Sequence, residues 1–529
     1  MNLSQFFEHW KIVENPFRGE EARNDAVFAR MSALTTGDPA AAALHSDFEK
    51  VLGDPARPST AIVFGEKGSG KTAMRLQIEA RIARHNRESP DQRMFVVLYD
   101  DLNGFLDRLQ SRAARHADAA RPARTKPRPA RSRNGAEQRE PDGAEVFKRI
   151  RLVDHIDAIV STGVTRLVTA LMSRGRSDEP APDVHGLELA ARRDLLLLQA
   201  LYDAGEHADE RTRRLRRLLH LPPPPAVMWT VLVVLGAIPP VAFVVWSIFS
   251  PQGAQDLWRL VVLLVLLGLW FGVLIRRLVV DRFRVRSLAR RLQRQLRVLD
   301  RPERSLARAL DALSSRDRDA EVLPVTESED IRYAMLARLR CVLAGLGYAG
   351  IVVIVDRVDE PRLVAGDAER MRQLIWPMMS NKFLQQDAIG FKLLLPIELR
   401  YAVFKESSGF FQEARLDKQN MIERLSWTGA TLYDLCAARL NACRAEGEPP
   451  ISLAAMFDED VTRQDLIDAL EQMHQPRDAF KFLYRCFSEH CAGVPAESGQ
   501  YRVPRLLMET VRRQEAERVQ QLHRGIRPA

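Results

Sequence analysis

Residues 65–72 carry the most specific chemical signal in the chain. They read Gly65-Glu66-Lys67-Gly68-Ser69-Gly70-Lys71-Thr72 and fit the phosphate-binding loop pattern GxxxxGK[ST] at every specified position. The glycines let backbone N–H groups crowd around phosphate oxygens, the lysine reaches the terminal phosphates, and the threonine hydroxyl suits Mg²⁺. The sequence therefore predicts that these eight residues bind ATP and that the threonine contributes to a magnesium site.

The elements predicted on either side of this loop are the ones that such a site requires. Residues 61–64 form an apolar run that predicts a buried strand, and Met74, Ile78 and Ile82 recur at the spacing of one helix face. A helix that begins at the loop directs the positive end of its dipole at bound phosphate. A glycine-rich turn without a ligand is the weaker alternative, because the flanking strand and helix both fit.

A magnesium-binding carboxylate is expected at the end of a second strand. Residues 350–355 form another apolar run, and Asp356 follows it directly. In nucleotide-hydrolysing α/β folds, a carboxylate at this place holds the hydrated Mg²⁺. The same pattern is common in unrelated proteins, so its weight comes from the glycine-rich loop. We predict that Thr72 and Asp356 together form the metal site.

The residues after Asp356 include the candidates for a catalytic base. Many ATPases place an acidic residue immediately after this aspartate, whereas this chain has Arg357. Glu360 is the first candidate to orient and deprotonate the attacking water, and Asp359 is the second. The alternative is that both acids cap a loop and that turnover is slow.

Composition and cysteine usage exclude several classes of protein. With 529 residues, 46% of them apolar and 28% charged, the chain is long enough for several packed domains. Its five cysteines include no CxxC pair and no histidine at zinc-ligand spacing, so neither a disulfide framework nor a zinc knuckle is indicated. Residues 1–16 have no basic region followed by an apolar core, which argues against a secretory signal peptide.

A basic, low-complexity stretch interrupts the predicted core. Residues 94–99 predict a further strand of a parallel sheet covered on both faces. From residue 111 to about 143 the chain is rich in Arg, Ala and Pro and nearly free of large apolar side chains, so we predict a disordered insert. A solvated linker is favoured over a site for anionic lipid or nucleic acid. Helical spacing then predicts helices over 152–171 and 195–219.

Two long apolar runs predict a transmembrane hairpin. Residues 226–249 contain no charge, and residues 257–275 contain only Arg259, near their start. Each run is long enough to cross a bilayer, and Pro239 with Pro240 predicts a kink or break in the first helix. A re-entrant first segment and a buried hairpin of a soluble protein are the alternatives.

The charges around the predicted hairpin indicate its orientation. Arginines crowd the outer flanks of both runs, whereas the link between them has no basic residue before Arg259. The positive-inside rule then predicts a two-span protein of a bacterial-type cytoplasmic membrane, with both termini and the nucleotide-binding core in the cytosol. A leucine stripe beyond the second run, ringed by arginines, predicts a helix that lies against anionic headgroups or continues as a stalk; its members are Leu288, Leu292, Leu296 and Leu299.

The order of these features resembles the KAP family of membrane-anchored P-loop NTPases, which are related to STAND and AAA+ ATPases. The resemblance covers about residues 15–477: the glycine-rich loop, an insertion with a hairpin, the strand that ends at Asp356, and helices from residue 417 onward. It implies an α/β fold in which a parallel sheet flanked by helices is interrupted by the transmembrane hairpin and followed by a C-terminal helical lid. Arg357 departs from the paired acids of the family.

The same resemblance implies roles for further residues. The turn Asn15-Pro16-Phe17 would help to enclose the base. Residues 390–397 predict another core strand, after which Glu398 would sense the γ-phosphate and Arg400 would act as a finger on the nucleotide of a neighbouring subunit. Arg477, near the start of a predicted helix, would contact phosphate from above. The alternatives are a packing turn, a surface ion pair for Arg400 and a solvated Arg477.

These expectations divide the chain into eight segments. They are a lead-in (1–58), the first half of the core (59–110), the basic insert (111–145), a helical segment (146–225), the hairpin (226–275), basic juxtamembrane helices (276–320), the second half of the core (321–410) and the helical lid (411–529).

Three functions are compatible with this organisation. The leading hypothesis is a membrane-anchored ATPase that uses ATP and Mg²⁺ as a conformational switch on a partner protein or between identical subunits. The second is a membrane scaffold that binds ATP without hydrolysing it, which Arg357 favours. A DNA-binding ATPase is weaker, because no base-reading motif accompanies the basic insert, and no nucleic-acid partner is expected. Two spans without intramembrane carboxylates argue against solute transport.

Overall fold

The chain folds into two units, and most of the second is inserted into the first. The first unit comprises residues 1–100, 350–375 and 379–529, and the second comprises residues 101–349 and 376–378. The computed structural model describes residues 1–18, 22–34, 44–119, 143–173, 184–249, 256–319, 321–406, 408–495 and 498–523.

Five parallel strands form the sheet of the first unit. They are β1 (Ala61–Gly65), β2 (Arg93–Tyr99), β3 (Tyr348–Val355), β4 (Ile389–Pro396) and β5 (Asn420–Ile422), and their order across the sheet is β2-β3-β4-β1-β5. β1 and β4 are buried along their whole length, as their mainly apolar sequences require in a sheet covered on both faces, and the buried residues of β4 include Lys392. The four strands predicted from apolar runs are confirmed.

Helices account for most of the remaining described residues. In chain order they are α1 (Leu3–His9), α2 (Ala26–Leu34), α3 (Phe48–Leu52), α4 (Lys71–Glu88), α5 (Leu102–Ala119), α6 (Gly143–Lys148), α7 (Leu152–Met172), α8 (Leu189–Tyr202), α9 (Ala208–Leu218), α10 (Pro225–Gly236), α11 (Ile238–Phe249), α12 (Asp256–Ile275), α13 (Arg282–Gln295), α14 (Glu303–Asp311), α15 (Glu329–Gly345), α16 (Ala368–Ile375), α17 (Asn381–Leu384), α18 (Ile397–Lys405), α19 (Ser408–Ala414), α20 (Gly429–Ala442), α21 (Arg463–Glu471), α22 (Pro476–Gly493) and α23 (Arg505–His523). A π-helix, Arg276–Asp281, joins α12 to α13, and 3₁₀ turns cover Pro90–Gln92, Trp376–Met378, Leu416–Lys418 and Leu453–Met456.

The register of the sheet brings the ends of three strands together. Gly65 at the end of β1 lies opposite Pro396 of β4, and Val355 at the end of β3 lies opposite Leu393 of β4. Because all strands run in the same direction, the glycine-rich loop after β1 and Asp356 after β3 emerge at one edge of the sheet. Ligands of open α/β sheets bind at this edge.

The first residues of the chain belong to the core of the C-terminal helices. Phe6 and Phe17 are fully buried and pack against Phe487 of α22, at centroid distances of 5.3 and 6.0 Å. The Met1 amino group donates to the Val494 carbonyl at 2.6 Å. The Asn15 side chain accepts from the Phe17 N–H at 2.9 Å, so the Asn-Pro-Phe turn is a packing element of this core.

The C-terminal part of the first unit is helical, with one exception. Helix α22 begins at Pro476, as predicted, with Gln475 as its N-cap. The prediction of helices from residue 417 onward is wrong for Asn420–Ile422, which form β5 and pair with Ala61–Val63. A three-residue strand is too short to show a period in sequence, and its pairing with β1 fixes its conformation.

The second unit corrects three sequence predictions about its boundaries. Residues 111–119, predicted to be disordered, continue helix α5, because Ala and Arg are strong helix formers; residues 120–142 lie outside the described residues. The helix predicted over 195–219 is two helices, α8 and α9. The first ends before Asp203 and the second begins after His207, which has a left-handed φ of 54°. The second half of the core begins at residue 350 rather than 321, since α15 packs on α7 and α8.

The leucine stripe lies inside the second unit. Leu292, Leu296 and Leu299 are at most 4% exposed, and α13 packs on α14. Arg297 pairs with the buried Asp154 at 2.5 Å. Of the two expectations for this segment, the structure therefore favours a packed stalk, because these leucines are not available to a bilayer.

A buried polar network joins the helices of the second unit. Asp157 accepts a hydrogen bond from the Tyr202 hydroxyl at 2.8 Å and faces Arg332 at 3.5 Å, and all three residues are at most 1% exposed. Burial raises the pKa of Asp157 to about 7, against the opposing effect of Arg332. Such a network specifies how helices pack, because each buried polar group needs its partner.

Two helices of the second unit are long and apolar enough to cross a membrane. They are residues 226–249, which comprise most of α10 and all of α11, and the continuous helix that starts at Leu257. Their side chains are mostly exposed, as those of lipid-facing helices are, whereas core helices of soluble proteins bury such residues. The break between α10 and α11 falls at Ala237, next to the prolines that predicted it.

Candidate functional site

At two positions, the glycine-rich loop has a backbone conformation that only glycine adopts readily. Gly68 and Gly70 both have φ of +96°. A Cβ atom on Gly68 would lie 2.9 Å from the Cβ of Arg477, so a side chain there would also clash with the start of α22. Helix α4 begins directly after Gly70, which directs its first N–H groups into the loop.

Lys71, Thr72 and Asp356 form the polar centre of the candidate site. The ammonium group of Lys71 donates to the carbonyl oxygens of Gly65 and Glu66, at 2.7 and 3.0 Å. The Thr72 hydroxyl donates to Oδ2 of Asp356 at 3.3 Å. Two strands that are not neighbours in the sheet thus bring together the two side chains that the sequence assigned to magnesium.

Burial changes the acid–base properties of this centre. It raises the pKa of Asp356 above its ordinary value, although the Arg357 N–H and the nearby cations oppose this effect. It lowers the pKa of Lys71, and the four carboxylates that oppose this effect are Asp359, Asp356, Glu398 and Glu66, in decreasing order. The charges around Lys71 are therefore mostly negative, which suits a site that also admits a cation.

Arg75 is a further member of the site, and no motif in the sequence indicates it. It lies on α4 and is 3% exposed. Its Nη1 contacts Asp100 after β2, and its Nε lies 3.7 Å from Oδ2 of Asp356. One arginine thereby connects the ends of β2 and β3. The only signal for Arg75 in the sequence is its position beside the apolar stripe of α4. A residue at that position of the helix directs its side chain at the sheet.

The candidate bases lie on the loop that follows β3. Asp359 and Glu360 both line the cavity in front of the glycine-rich loop. Nε of Arg357 lies 3.7 Å from Oε2 of Glu360, whose side chain is about half exposed. Arg357 itself has φ of 61°, which turns the chain sharply after Asp356 and places Asp359 on the wall of the cavity.

The C-terminal helices contact the glycine-rich loop directly. Glu66 pairs with Arg424 at 2.7 Å and accepts a hydrogen bond from Gln475, the N-cap of α22. Arg477 lies next to Gly68 and lines the cavity. The structure thus places Arg477 against the loop from the side of the helices, and its contact with phosphate stays a prediction.

A second contact between loop and helices passes through Trp427. Its indole N–H donates to the Ser69 carbonyl at 2.8 Å, and its ring lies beside Gly70. His45 packs edge-on against this ring, accepts from the Asp47 N–H at 3.0 Å and donates to the Ser426 carbonyl at 2.8 Å. Trp427, supported by His45, thus links the glycine-rich loop to the segment between β5 and α20.

The cavity at this edge of the sheet has a volume of about 840 Å³. The glycine-rich loop and the acids after β3 line it, and side chains of α2, α20 and α22 do so as well, among them Phe28, Leu435 and Phe480. Polar groups for phosphates together with apolar side chains for a base suit a nucleotide. Asn15 and Phe17 are not among the lining residues, so the Asn-Pro-Phe turn supports this wall only from behind.

Glu398 and Arg400 are separated although both lie on α18. Glu398 lines the cavity. Arg400 pairs with Glu423 at 2.7 Å and lies over the Phe404 ring, and it is not a lining residue of the cavity. The structure does not bring Arg400 to the other site residues of its own chain. A finger role toward a neighbouring subunit remains a prediction.

The residues present fit a magnesium–nucleotide complex. Ser69 is 1% exposed, and its hydroxyl has no hydrogen-bond partner among the described residues, in a loop where phosphate oxygens would accept from it. The described residues contain no group of three or more His, Cys, Asp or Glu side chains suited to a metal. One hydroxyl and one carboxylate are nevertheless what Mg²⁺ takes from a protein when phosphates and water supply its other ligands.

Comparison of the chain with protein-family models, with curated proteins and with solved structures finds no match. The resemblance to KAP ATPases therefore stays a prediction.

Proposed function

We propose that this protein is a membrane-anchored ATPase whose nucleotide state is passed to its C-terminal helices. The observation that carries the proposal is the meeting of Thr72 and Asp356 at 3.3 Å, beside a loop of the phosphate-binding pattern. Neither residue implies the other in sequence, because 284 positions separate them. A shared position at the carboxyl edge of a parallel sheet is what a Mg²⁺-dependent phosphoryl-transfer site needs.

Each part of the site has a role in this proposal. The N–H groups of the loop and Lys71 hold the phosphates, and Mg²⁺, when bound between Thr72 and Asp356, supplies the charge that neutralises them. An acid on the loop after β3 orients the attacking water. The sequence ranked Glu360 before Asp359, but the geometry favours Asp359, because Glu360 is more exposed and faces Arg357. Arg477 supplies a further positive charge from α22.

The switch proposal depends on the contacts between loop and helices. Glu66, Ser69 and Gly70 each contact residues between β5 and α22. The γ-phosphate would approach the same loop, so its arrival and loss change the surroundings of these contacts. The two apolar helices of the second unit are the proposed anchor in a cytoplasmic membrane, with a protein partner or a second copy of this chain as the receiver.

A scaffold that binds ATP without turnover is the second candidate. The observation that favours it is Arg357, which occupies the position after Asp356 and faces Glu360. A cation at that place stabilises a bound triphosphate and withholds a carboxylate from the attacking water.

Phosphate release by detergent-purified protein with Mg-ATP tests the two candidates. We expect turnover that Lys71→Ala abolishes together with ATP binding. Asp359→Asn should lower kcat by about 100-fold or more with ATP binding retained, while Glu360→Gln should have the smaller effect. ATP binding by the parent protein without any phosphate release would instead support the scaffold.

A further inference from the structure

The second unit carries a small basic cavity at the end of α9. It has a volume of about 300 Å³ and is lined by Leu171 and Met172 of α7 and by Arg214, Arg217 and Leu218 of α9. The two arginines are exposed and three positions apart, so they lie on one face of the helix. Neither has an ion-pair or hydrogen-bond partner among the residues that the structure describes. The cavity thus combines two available guanidinium groups with an apolar wall.

Side-chain contacts place this end of α9 next to the two apolar helices. Arg216, one residue before Arg217, donates to the Ala312 carbonyl at the end of α14 and to the Pro222 carbonyl in the link to α10. Asp311, the neighbour of Ala312, pairs at 3.2 Å with Arg277, and Arg277 also donates to Thr230 of α10 at 3.3 Å. The cavity is therefore only a few side chains away from the ends of both apolar helices.

The same ends carry the features of a membrane surface. The Arg276 guanidinium lies 4.6 Å from the centroid of the Trp229 ring, near the start of the first apolar run. Tryptophan and arginine together mark the headgroup level of membrane helices. Basic residues at this level attract anionic lipid, each contributing about 1 kcal/mol. Arginine adds a planar fork of donors that matches a phosphate group.

We propose that Arg214 and Arg217 bind the phosphate of an anionic phospholipid headgroup, with Leu171, Met172 and Leu218 against its glycerol and upper acyl carbons. The inference rests on the proposed membrane location and is independent of nucleotide hydrolysis. It assigns a specific lipid class to a surface on which the sequence showed only an excess of arginine.

Lipid binding by the full-length protein in detergent tests the site. A fluorescent phosphatidylglycerol is titrated at roughly 0.15 M salt, where long-range attraction is screened. We expect Arg214→Gln with Arg217→Gln to weaken its binding by about fivefold or more for each arginine, the factor that corresponds to ~1 kcal/mol. The matched control, Arg291→Gln with Arg304→Gln, removes the same charge from exposed positions on α13 and α14, which lie about 20 and 10 Å farther along these helices. It should bind like the parent.

The outcomes separate this proposal from the membrane anchor. If both double variants lost the same amount of lipid affinity, net charge would explain the loss and the proposed site would be overturned. Competition by inorganic phosphate or glycerol phosphate as strong as that by phosphatidylglycerol would also overturn it, because the ligand would then be a soluble phosphate. Carbonate extraction from phosphatidylcholine vesicles tests the anchor alone, since that lipid carries no net charge. Extraction of the protein by carbonate would contradict both the membrane anchor and the lipid site. A protein that stays in the membrane but binds the lipid equally well without the two arginines would contradict only the lipid site.

Discussion

Arg75 is the cation that two carboxylates of the candidate site share, the buried Asp356 and the partly buried Asp100. Asp100 and Asp356 follow β2 and β3, and both would lose their nearest guanidinium if Arg75 were absent. A lone arginine on an amphipathic helix has no distinctive pattern in sequence, so only its neighbours in the fold identify it. The pattern GxxxxGK[ST], in contrast, fixes the types and spacing of Lys71 and Thr72, whereas Asp356 could be singled out only because it follows an apolar strand.

Replacing Arg75 with methionine should destabilise the first unit. The change keeps the length of the side chain but removes the guanidinium beside the buried Asp356, which costs about 3 kcal/mol and lowers the Tm by roughly 6–12 °C. Thermal unfolding of the variant and the parent protein in detergent measures the change in Tm. Arg87→Met, at an exposed position of the same helix, is the control and should change the Tm by less than about 2 °C. Similar Tm values for the two variants would contradict the shared-charge interpretation.

Lys392 gives the first unit a measurable dependence on pH. It lies 1% exposed on β4, where its ammonium group donates to the carbonyls of Leu52 and Ser59 at 2.9 and 2.7 Å. Burial lowers its pKa to about 7 in the folded protein. An unfolded lysine keeps its proton to about pH 10.4, so between these values the unfolded state binds more protons and stability rises with pH.

The Lys392→Met variant tests this linkage. The parent Tm should rise relative to that of the variant as the pH increases from about 7 to 9, because the neutral lysine no longer suffers the penalty of a buried charge. The difference should be constant below about pH 6, where the lysine is charged in both states. Parallel Tm curves across the whole range would show that Lys392 keeps its charge when buried.

At the scale of elements, the strands were predictable and several connections were not. Each of β1 to β4 is dominated by an apolar run, because a strand covered on both faces has no polar side; Lys392 is the one charge inside β4. The break between α8 and α9 depends on the left-handed backbone of His207, and α1 depends on burial of Phe6 against α22, nearly five hundred positions away. Such long-range packing leaves no periodic signal in the local sequence.

The segment between β5 and α20 is the element that connects the glycine-rich loop to the helices. Trp427 in this segment is held by the Ser69 carbonyl, and Thr428 caps α20 by accepting from the Thr431 N–H. A shift of the loop therefore acts on a residue directly before a helix start. This arrangement gives a nucleotide at the loop a route to the start of α20, in addition to the cavity wall that Leu435 of the same helix forms.

Trp427 should report nucleotide binding by its fluorescence. Mg-ATP should change the emission of the parent protein, and Trp427→Phe should remove most of that change. The ATP affinity should fall less than about tenfold, because only one neutral hydrogen bond is lost. Trp10→Phe is the control, since the indole of Trp10 donates to Tyr501 and does not line the cavity. A full response in Trp427→Phe would exclude this residue as the link.

At the scale of the whole molecule, the second unit takes the place of a crossover connection. Parallel neighbours such as β2 and β3 must be joined by a segment that returns to the start of the sheet, and a single helix usually does this. Here residues 101–349 do it, and they include both apolar helices. A long insertion adds little closure entropy once its ends are fixed, so the sheet tolerates it.

The two apolar helices should place the link between them on the side of the membrane opposite to both termini. Four of the five cysteines are buried and Cys341 is exposed, which provides a marker within the second unit. In spheroplasts, a membrane-impermeant maleimide should label a Gly253→Cys variant in the link but leave the parent protein unlabelled. Permeabilisation should then expose Cys341, and Cys341→Ser should remove that signal. Labelling of Cys341 in intact spheroplasts would place the arginine-rich flanks outside, against the charge rule that predicts them inside.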